Sequence, residues 1–252
     1  MLTNDHGICI RAVDYSETSQ VVTFFARQTG KVPVIAKGAK RQKSSFGGPI
    51  EIFSYGDIVF SDSGRDKLAT LAEFEPLAGM VNYPVLSADI FALNACLLAA
   101  ELVNALVNDY DPHPGLFDSL LQFIHDASQE RSSNDEHRKI LANLIVFQQV
   151  LLTEIGLCPV LDYCVNCRNR FDSRWPETYF SNNARGLICR DCQGAFPDKI
   201  RLTAESAKCL SDSKLLASAS QNTLKNVEDI LIRYITDMLG RPPRMAKYIL
   251  NV

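Results

Sequence analysis

Over the first 80 residues, apolar and polar positions change places every one or two residues, in short runs broken by turn-forming residues. That spacing predicts strands, because successive side chains of a strand face opposite sides of a sheet. Five segments qualify: GICIRAVDY, VVTFFARQ, GKVPVIAKG, PIEIFSYGDIVFSD and KLATLAEFE. In the last, Leu68, Thr70, Ala72 and Phe74 alternate with Ala69, Leu71, Glu73 and Glu75, as in a half-buried strand. After Tyr83-Pro84 the pattern lengthens into helical segments with few β-branched runs. Ser87 is the expected cap of a helix running to about Val107, whose apolar positions wrap most of its circumference and predict burial on several sides. Further helices are expected over 115–127 and 138–157, with the polar stretch SQERSSNDEH between them as a loop. Near the end, Leu224, Val227, Leu231, Tyr234 and Met238 recur at steps of three and four, marking an amphipathic helix that Gly240 and Pro242-Pro243 terminate.

About five short strands in 80 residues must hide their edges, which favours a small closed or partly closed barrel. The expected fold is therefore α+β and multidomain. A five-stranded oligonucleotide-binding (OB) type β-barrel occupies residues 1–82, and an all-helical domain occupies 83–252. Inserted in the latter is a four-cysteine zinc ribbon at about 158–200, followed by closing helices over 201–252.

The net charge of −3 hides an uneven distribution. Residues 1–80 are balanced, residues 81–157 carry three basic side chains against ten acidic ones, and the remainder is mildly basic. Within the balanced block, Arg27, Lys31, Lys37, Lys40, Arg41 and Lys43 follow one another with no acid between Glu17 and Glu51. The segment AKGAKRQKSSFGGPIEIF sets Lys37, Lys40, Arg41 and Lys43 in a loop with Ser44, Ser45, Gly47 and Gly48. Small residues let a backbone approach closely, and the cations offer phosphate contacts without base specificity. A lone charge run is ordinarily a solvated loop. Placement on a barrel shifts the reading toward single-stranded DNA, which such barrels hold in a positive groove with aromatic stacking. Phe24, Phe25, Phe46 and Phe53 are the stacking candidates, although the adjacent Phe24 and Phe25 face opposite sides, so at least one belongs to the core.

Four of the eight cysteines stand as Cys164-Val-Asn-Cys167 and Cys189-Arg-Asp-Cys192. Each Cys-x2-Cys turn brings two thiolates to one ion, and two such turns complete an all-thiolate tetrahedral shell. Trp175, Tyr179, Phe180 and Gly186 lie between them, the aromatics and turn residue that a small ribbon needs around its metal. One structural Zn2+ per chain is the expected cofactor, supplying much of the ribbon's folding free energy. Disulfides are disfavoured for a chain that reads as cytosolic. A redox Cys-x2-Cys lacks a βαβ setting, and an iron–sulfur cluster stays open without a context that would set its potential. Four thiolates leave no position for a catalytic water, and His6, His113, His125 and His137 are far off in sequence. Cys9, Cys96 and Cys209 sit among apolar residues as core side chains, and Cys158 is left outside the ligand set.

No P-loop, His-Glu-x2-His or nucleophile–base pair is present, so no enzymatic activity is expected. The chain shows neither a secretory leader nor an apolar run long enough for a membrane span, and is expected to be cytoplasmic.

Four segments together resemble the RecO family: VDYSETSQVVTFFARQTGKVPVIAKGAKRQKSSFGGPIEIF, LAEFEPL, GLCPVLDYCVNC with RGLICRDC, and IRYITDMLGRPPRMAKYIL. The resemblance spans nearly the whole chain. It implies a mediator of DNA repair and homologous recombination that binds single- and double-stranded DNA and anneals complementary strands. With RecR as partner, such a mediator helps load RecA onto DNA coated by single-stranded-DNA-binding protein, in a nucleoid-associated setting. By resemblance Lys37, Lys40, Arg41 and Lys43 fall in the barrel loop used for DNA, and Cys164, Cys167, Cys189 and Cys192 on the zinc ligands. Some RecO-like proteins lack those cysteines, which gives the metal a structural role. The acidic block at 81–157 departs from what embracing DNA requires, and directs DNA to the barrel and the basic C-terminal part. A zinc-ribbon and OB-fold adaptor in transcription or RNA handling is the alternative function.

Overall fold

The computed structural model describes residues 2–61, 68–129, 135–172 and 174–250. The chain divides into two compact units, Met1–Glu130 and Arg131–Val252. The change from strands to helices at residue 82 lies inside the first unit, which holds the barrel together with the helices up to residue 127.

In the first unit, β1 (Leu2–Asp14), β2 (Gln20–Ala26), β3 (Gly30–Ala36), β4 (Tyr55–Ser61) and β5 (Ala69–Pro76) close a barrel in the order β1-β2-β3-β5-β4. Strands β3 and β5 run parallel, and the other neighbours are antiparallel. This is the OB-type closure expected from five short strands, since joining β4 back to β1 removes the free edges. Val22, Phe24 and Ala26 of β2 and Val32, Val34 and Ala36 of β3 point inward at alternate positions and pack against Ile58, Phe60, Leu71 and Phe74. Two bulges break strict alternation. In β1 the register shifts between Cys9 and Arg11, and in β5 the partners of Val59 and Phe60 are Glu73 and Leu71, which skips Ala72. The second bulge lets Phe74 face inward with Ala69 and Leu71 although it follows Leu71 by three residues, because an extra residue inverts the facing of the rest of the strand.

Strand β1 begins five residues before the expected GICIRAVDY and β4 begins at Tyr55, so that PIEIFS is a connection and not a strand. Asp5 shapes the β2–β3 turn: its carboxylate accepts from the backbone N–H of Gln28 (2.9 Å) and Thr29 (2.7 Å) and from the Thr29 hydroxyl (2.8 Å). Gly30 leaves that turn at φ 82°, and a Cβ there would collide with the backbone of Asp111.

The helices α1 (Tyr83–Ala88), α2 (Ile90–Leu106) and α3 (Pro114–Ala127) complete this unit. Ser87 is not the expected cap. Pro84 opens the short α1, the chain then turns extended at Asp89, and the Asp89 side chain accepts from the N–H of Ala92 to cap α2. As its all-round apolar pattern predicts, α2 buries nine residues.

In the second unit α4 (Glu136–Glu154) lies against α6 (Gln221–Leu239). Part of the polar stretch between α3 and α4 lies outside the described residues. Leu224, Val227, Leu231 and Tyr234 form the buried stripe of α6, and Gly240 ends the helix in the left-handed conformation at φ 69°. Between α4 and α6 come a three-stranded sheet, β6 (Thr178–Ser181), β7 (Gly186–Cys189) and β8 (Ile200–Leu202) in the order β7-β6-β8, and α5 (Ala204–Ser211). A short α7 (Ala246–Leu250) comes after the two prolines. No helix among the described residues is long and apolar enough to cross a membrane.

Candidate metal centre and nucleic-acid interface

The four knuckle cysteines come from two local structures that the backbone holds face to face. In the first, Cys164 N–H donates to Asn169 O (2.8 Å) and Arg168 N–H to Cys164 O (3.0 Å), closing a tight turn with Arg168 at φ 62°. In the second, Cys189 ends β7 and Cys192 sits in the 3-10 turn Arg190–Ala195. Hydrogen bonds from Val160 N–H to Arg185 O, Leu187 N–H to Val160 O and Val165 N–H to Leu187 O bind the segment carrying the first knuckle to β7. Only glycine fits at 186, where a Cβ would lie 2.5 Å from Val160 O.

The four Sγ atoms all lie within 4.8 Å of one another, and those of Cys167 and Cys189 are 3.7 Å apart. A tetrahedral ion with metal–sulfur bonds of about 2.3 Å has sulfur–sulfur edges of roughly 3.8 Å, so the cluster has the size of such a shell. Its surroundings favour thiolates in part. Burial raises the Cys164 thiol, but N–H groups of Cys167, Cys189 and Asn166 outweigh it and bring the thiol down to about 7. Burial and the neighbouring cysteines push Cys189 up to about 12. Sulfurs this close resist a second ionisation unless a cation compensates, so the donor set fits a divalent metal. Cys164, Tyr179, Ile188 and Cys189 form a buried cluster, with Trp175 and Phe196 packed on it. Of the aromatics expected around the metal, Trp175 and Tyr179 take that place, whereas Phe180 packs on Tyr234 of α6 and Phe196, beyond the second knuckle, joins the cluster. Cys158 is exposed and outside the cluster, and Cys9, Cys96 and Cys209 are buried.

The six basic candidates separate into two groups. Arg27 is bidentate to Asp118 of α3 (2.9 and 2.8 Å), which holds the Asp118 carboxyl below the usual range. Lys31 is largely enclosed, donating to Asn104 O (2.9 Å) and pairing with Asp109 (3.2 Å). Both are engaged by residues of the acidic block, which explains part of that block's charge. Lys37, Lys40, Arg41 and Lys43 are exposed on the β3–β4 connection. Lys40 pairs with Asp14 (2.6 Å), and among the described residues Lys37, Arg41 and Lys43 have no ion-pair partner. The loop is not loose: Lys40 N–H donates to Thr18 O (3.1 Å) and Gly38 N–H to Ser19 Oγ (3.4 Å), tying it to the β1–β2 hairpin.

None of the four phenylalanines considered for stacking is available. Phe24 lies inside the barrel, Phe25 packs on Phe117 with ring centroids 6.0 Å apart, and Phe46 and Phe53, both on the β3–β4 connection, are buried. The adjacent pair does face opposite sides, but both side chains are fully buried, Phe24 inside the barrel and Phe25 outside it against Phe117 of α3.

The family model described as Recombination protein O N terminal matches residues 1–80, and Recombination protein O C terminal matches residues 87–247. The chain belongs to the RecO family. A DNA repair protein RecO from Halalkalibacterium halodurans is 31% identical over 210 residues, covering 83% of this chain and 76% of the relative. The RecO protein of Bacillus subtilis is 29% identical over the same share of each chain. That of Anaeromyxobacter sp. (strain K) is 29% identical over 245 residues, 93% of this chain and 91% of its own. The two family models together cover both the barrel with its basic loop and the cysteine knuckles, so the two site candidates lie within RecO sequence.

Proposed function

We propose that this chain is a cytoplasmic, non-enzymatic mediator of DNA repair and homologous recombination that binds single- and double-stranded DNA and anneals complementary strands. Its partners in this reading are RecR, single-stranded-DNA-binding protein and, indirectly, RecA. The observation that carries the reading is the basic β3–β4 loop, whose cations stand exposed on a closed OB-type barrel in a member of the RecO family. The DNA-binding domain is residues 1–82, with Lys37, Lys40, Arg41 and Lys43 as phosphate contacts. Arg27, Lys31 and Lys40 act only where phosphates displace their carboxylate partners Asp118, Asp109 and Asp14. Phosphate contacts of this kind confer affinity without sequence preference, as a mediator acting on any broken strand requires.

Cys164, Cys167, Cys189 and Cys192 hold one Zn2+ in this reading. The ion supplies cross-linking of two turns in a module too small for its own core, and its closed shell leaves no position for substrate.

The deciding experiment is the annealing rate of two complementary oligonucleotides, both coated with single-stranded-DNA-binding protein, with and without this chain and with no nucleotide. Acceleration is expected. Intact DNA binding without acceleration would replace the mediator by a nucleic-acid adaptor in transcription or RNA handling. The loop is tested by replacing Lys40, Arg41 and Lys43 together with Ala. The log–log salt dependence of single-strand binding should flatten by about 2, at roughly 0.7 per lost contact. An unchanged slope would move the phosphate site elsewhere.

A further inference from the structure

The burial of every phenylalanine in the barrel leaves its basic loop without the stacking surface that single strands use. A different residue provides one. Among the described residues of the barrel, Tyr55 is half-buried and lies against Phe117, whereas Tyr15 is 67% exposed. An exposed aromatic is by itself ordinary on a protein surface. This one sits at the tip of the β1–β2 hairpin, the element to which the basic loop is bonded. Tyr15 N–H donates to Ser19 O (3.0 Å), and the Ser16 hydroxyl accepts from Ser19 N–H (3.2 Å), which pins the tip. The last residue of β1 and one within the tip then engage the loop: Asp14 pairs with Lys40, and Thr18 O accepts from Lys40 N–H. The Asp14–Lys40 pair neutralises the carboxylate adjacent to the ring, while Lys37, Arg41 and Lys43 remain without ion-pair partners among the described residues.

We propose that Tyr15 is a base-stacking platform which, beside the cations of the β3–β4 loop, makes the barrel prefer unpaired to paired strands. The inference rests on the reading that this loop contacts phosphates. A ring held at the edge of a phosphate-binding surface meets bases only where they are free of a complementary strand, because in a duplex both faces of each base are already stacked. Stacking is an uncharged contact, so it adds affinity without releasing counterions. The hairpin and the loop thus supply separable parts of one surface, the first selecting strand state and the second supplying salt-dependent attraction.

The test is binding of a fluorescent thymidine oligonucleotide, and of a duplex of equal length, to the full chain at several salt concentrations. Tyr15→Ala, Tyr15→Trp and the triple loop variant are compared with the unmodified protein. Tyr15→Ala should weaken single-strand binding about tenfold, keep the salt slope and leave duplex binding unchanged, while Tyr15→Trp binds as the unmodified chain does. The side chain is exposed, so the melting curve of Tyr15→Ala should match the unmodified protein. Unchanged single-strand affinity in Tyr15→Ala, or an equal loss on duplex, overturns the proposal for Tyr15 alone. A triple loop variant with full affinity and an unaltered slope instead removes the phosphate reading, and the proposal falls with it.

Discussion

Glu228 of α6 is fully enclosed, and among the described residues Gln148 of α4 is its hydrogen-bond partner, donating from Nε2 to Oε1 at 2.8 Å. The other oxygen of each side chain, Glu228 Oε2 and Gln148 Oε1, is left without a donor. Burial, with a smaller contribution from Asp229 and against the Gln148 hydrogen bond, raises the Glu228 carboxyl to about 7. A proton on the carboxyl gives this pair of orphaned acceptors a donor, so the neutral acid is the form the core accommodates. Asp229, the charged neighbour acting on it, is itself paired with Arg233 (2.7 Å). The unfolded chain releases this proton near 4.5 and the folded chain near 7, so stability falls as pH rises through that window and levels off above it. The loss is on the order of 3 kcal/mol. Glu228→Gln keeps the shape and supplies the missing donor. It should therefore melt higher than the unmodified protein at about pH 8, with the difference vanishing toward about pH 4. Parallel pH profiles of melting temperature for the two proteins would refute a neutral Glu228. Nothing in the periodicity of α6 marks Glu228 as special, since an acid within an apolar stripe is recognised only when the facing helix is known.

Asp5 decides the shape of the β2–β3 turn, and with it where Arg27 and Lys31 stand. Its carboxylate receives three hydrogen bonds from Gln28 and Thr29 while almost fully buried. Asp5→Ala leaves two backbone N–H groups without a partner, at a cost of about 1–3 kcal/mol each where they remain dry. Thermal unfolding should shift down markedly, whereas single-strand affinity of the folded protein stays near that of the unmodified chain, because the β3–β4 loop is anchored to the other hairpin. A loss of affinity larger than the loss of folded fraction would instead tie this turn to DNA. Element type was legible along most of the chain: all five strands lie where alternation predicts them, and α3, α4 and α6 start and stop within a few residues of expectation. The misses were local competitions. Ser87 lost the cap to Asp89 because Pro84 started a separate short helix. PIEIFS lost strand character because Phe53 adopts φ 68° where the chain turns back to pair with β1.

The four-cysteine cluster joins segments 22 residues apart, from Cys167 to Cys189, so what a bound ion would contribute is a property of the second unit and not of one knuckle. The ribbon is also fastened to α6, by Tyr234 Oη donating to Leu157 O (2.9 Å) and by the edge-on contact of Phe180 with Tyr234. Cys164→Ser should lose the metal, and the same loss on chelation under reducing conditions should lower the melting temperature, with the barrel's circular-dichroism signature retained. A Cys164→Ser protein that keeps its metal and melting curve would deny Cys164 a place in the shell.

What the sequence determined by itself was what depends on spacing: a barrel from period-two strands, helices from steps of three and four, and a four-thiolate set from two Cys-x2-Cys turns. What only the tertiary structure decided was which side chains are left over. The fold of the first unit buries Phe24, Phe25, Phe46 and Phe53, and Asp118 and Asp109 engage Arg27 and Lys31. Tyr15 and the cations of one loop remain outside. Exposure and charge pairing are set by partners distant along the chain, and no local pattern of residues encodes them.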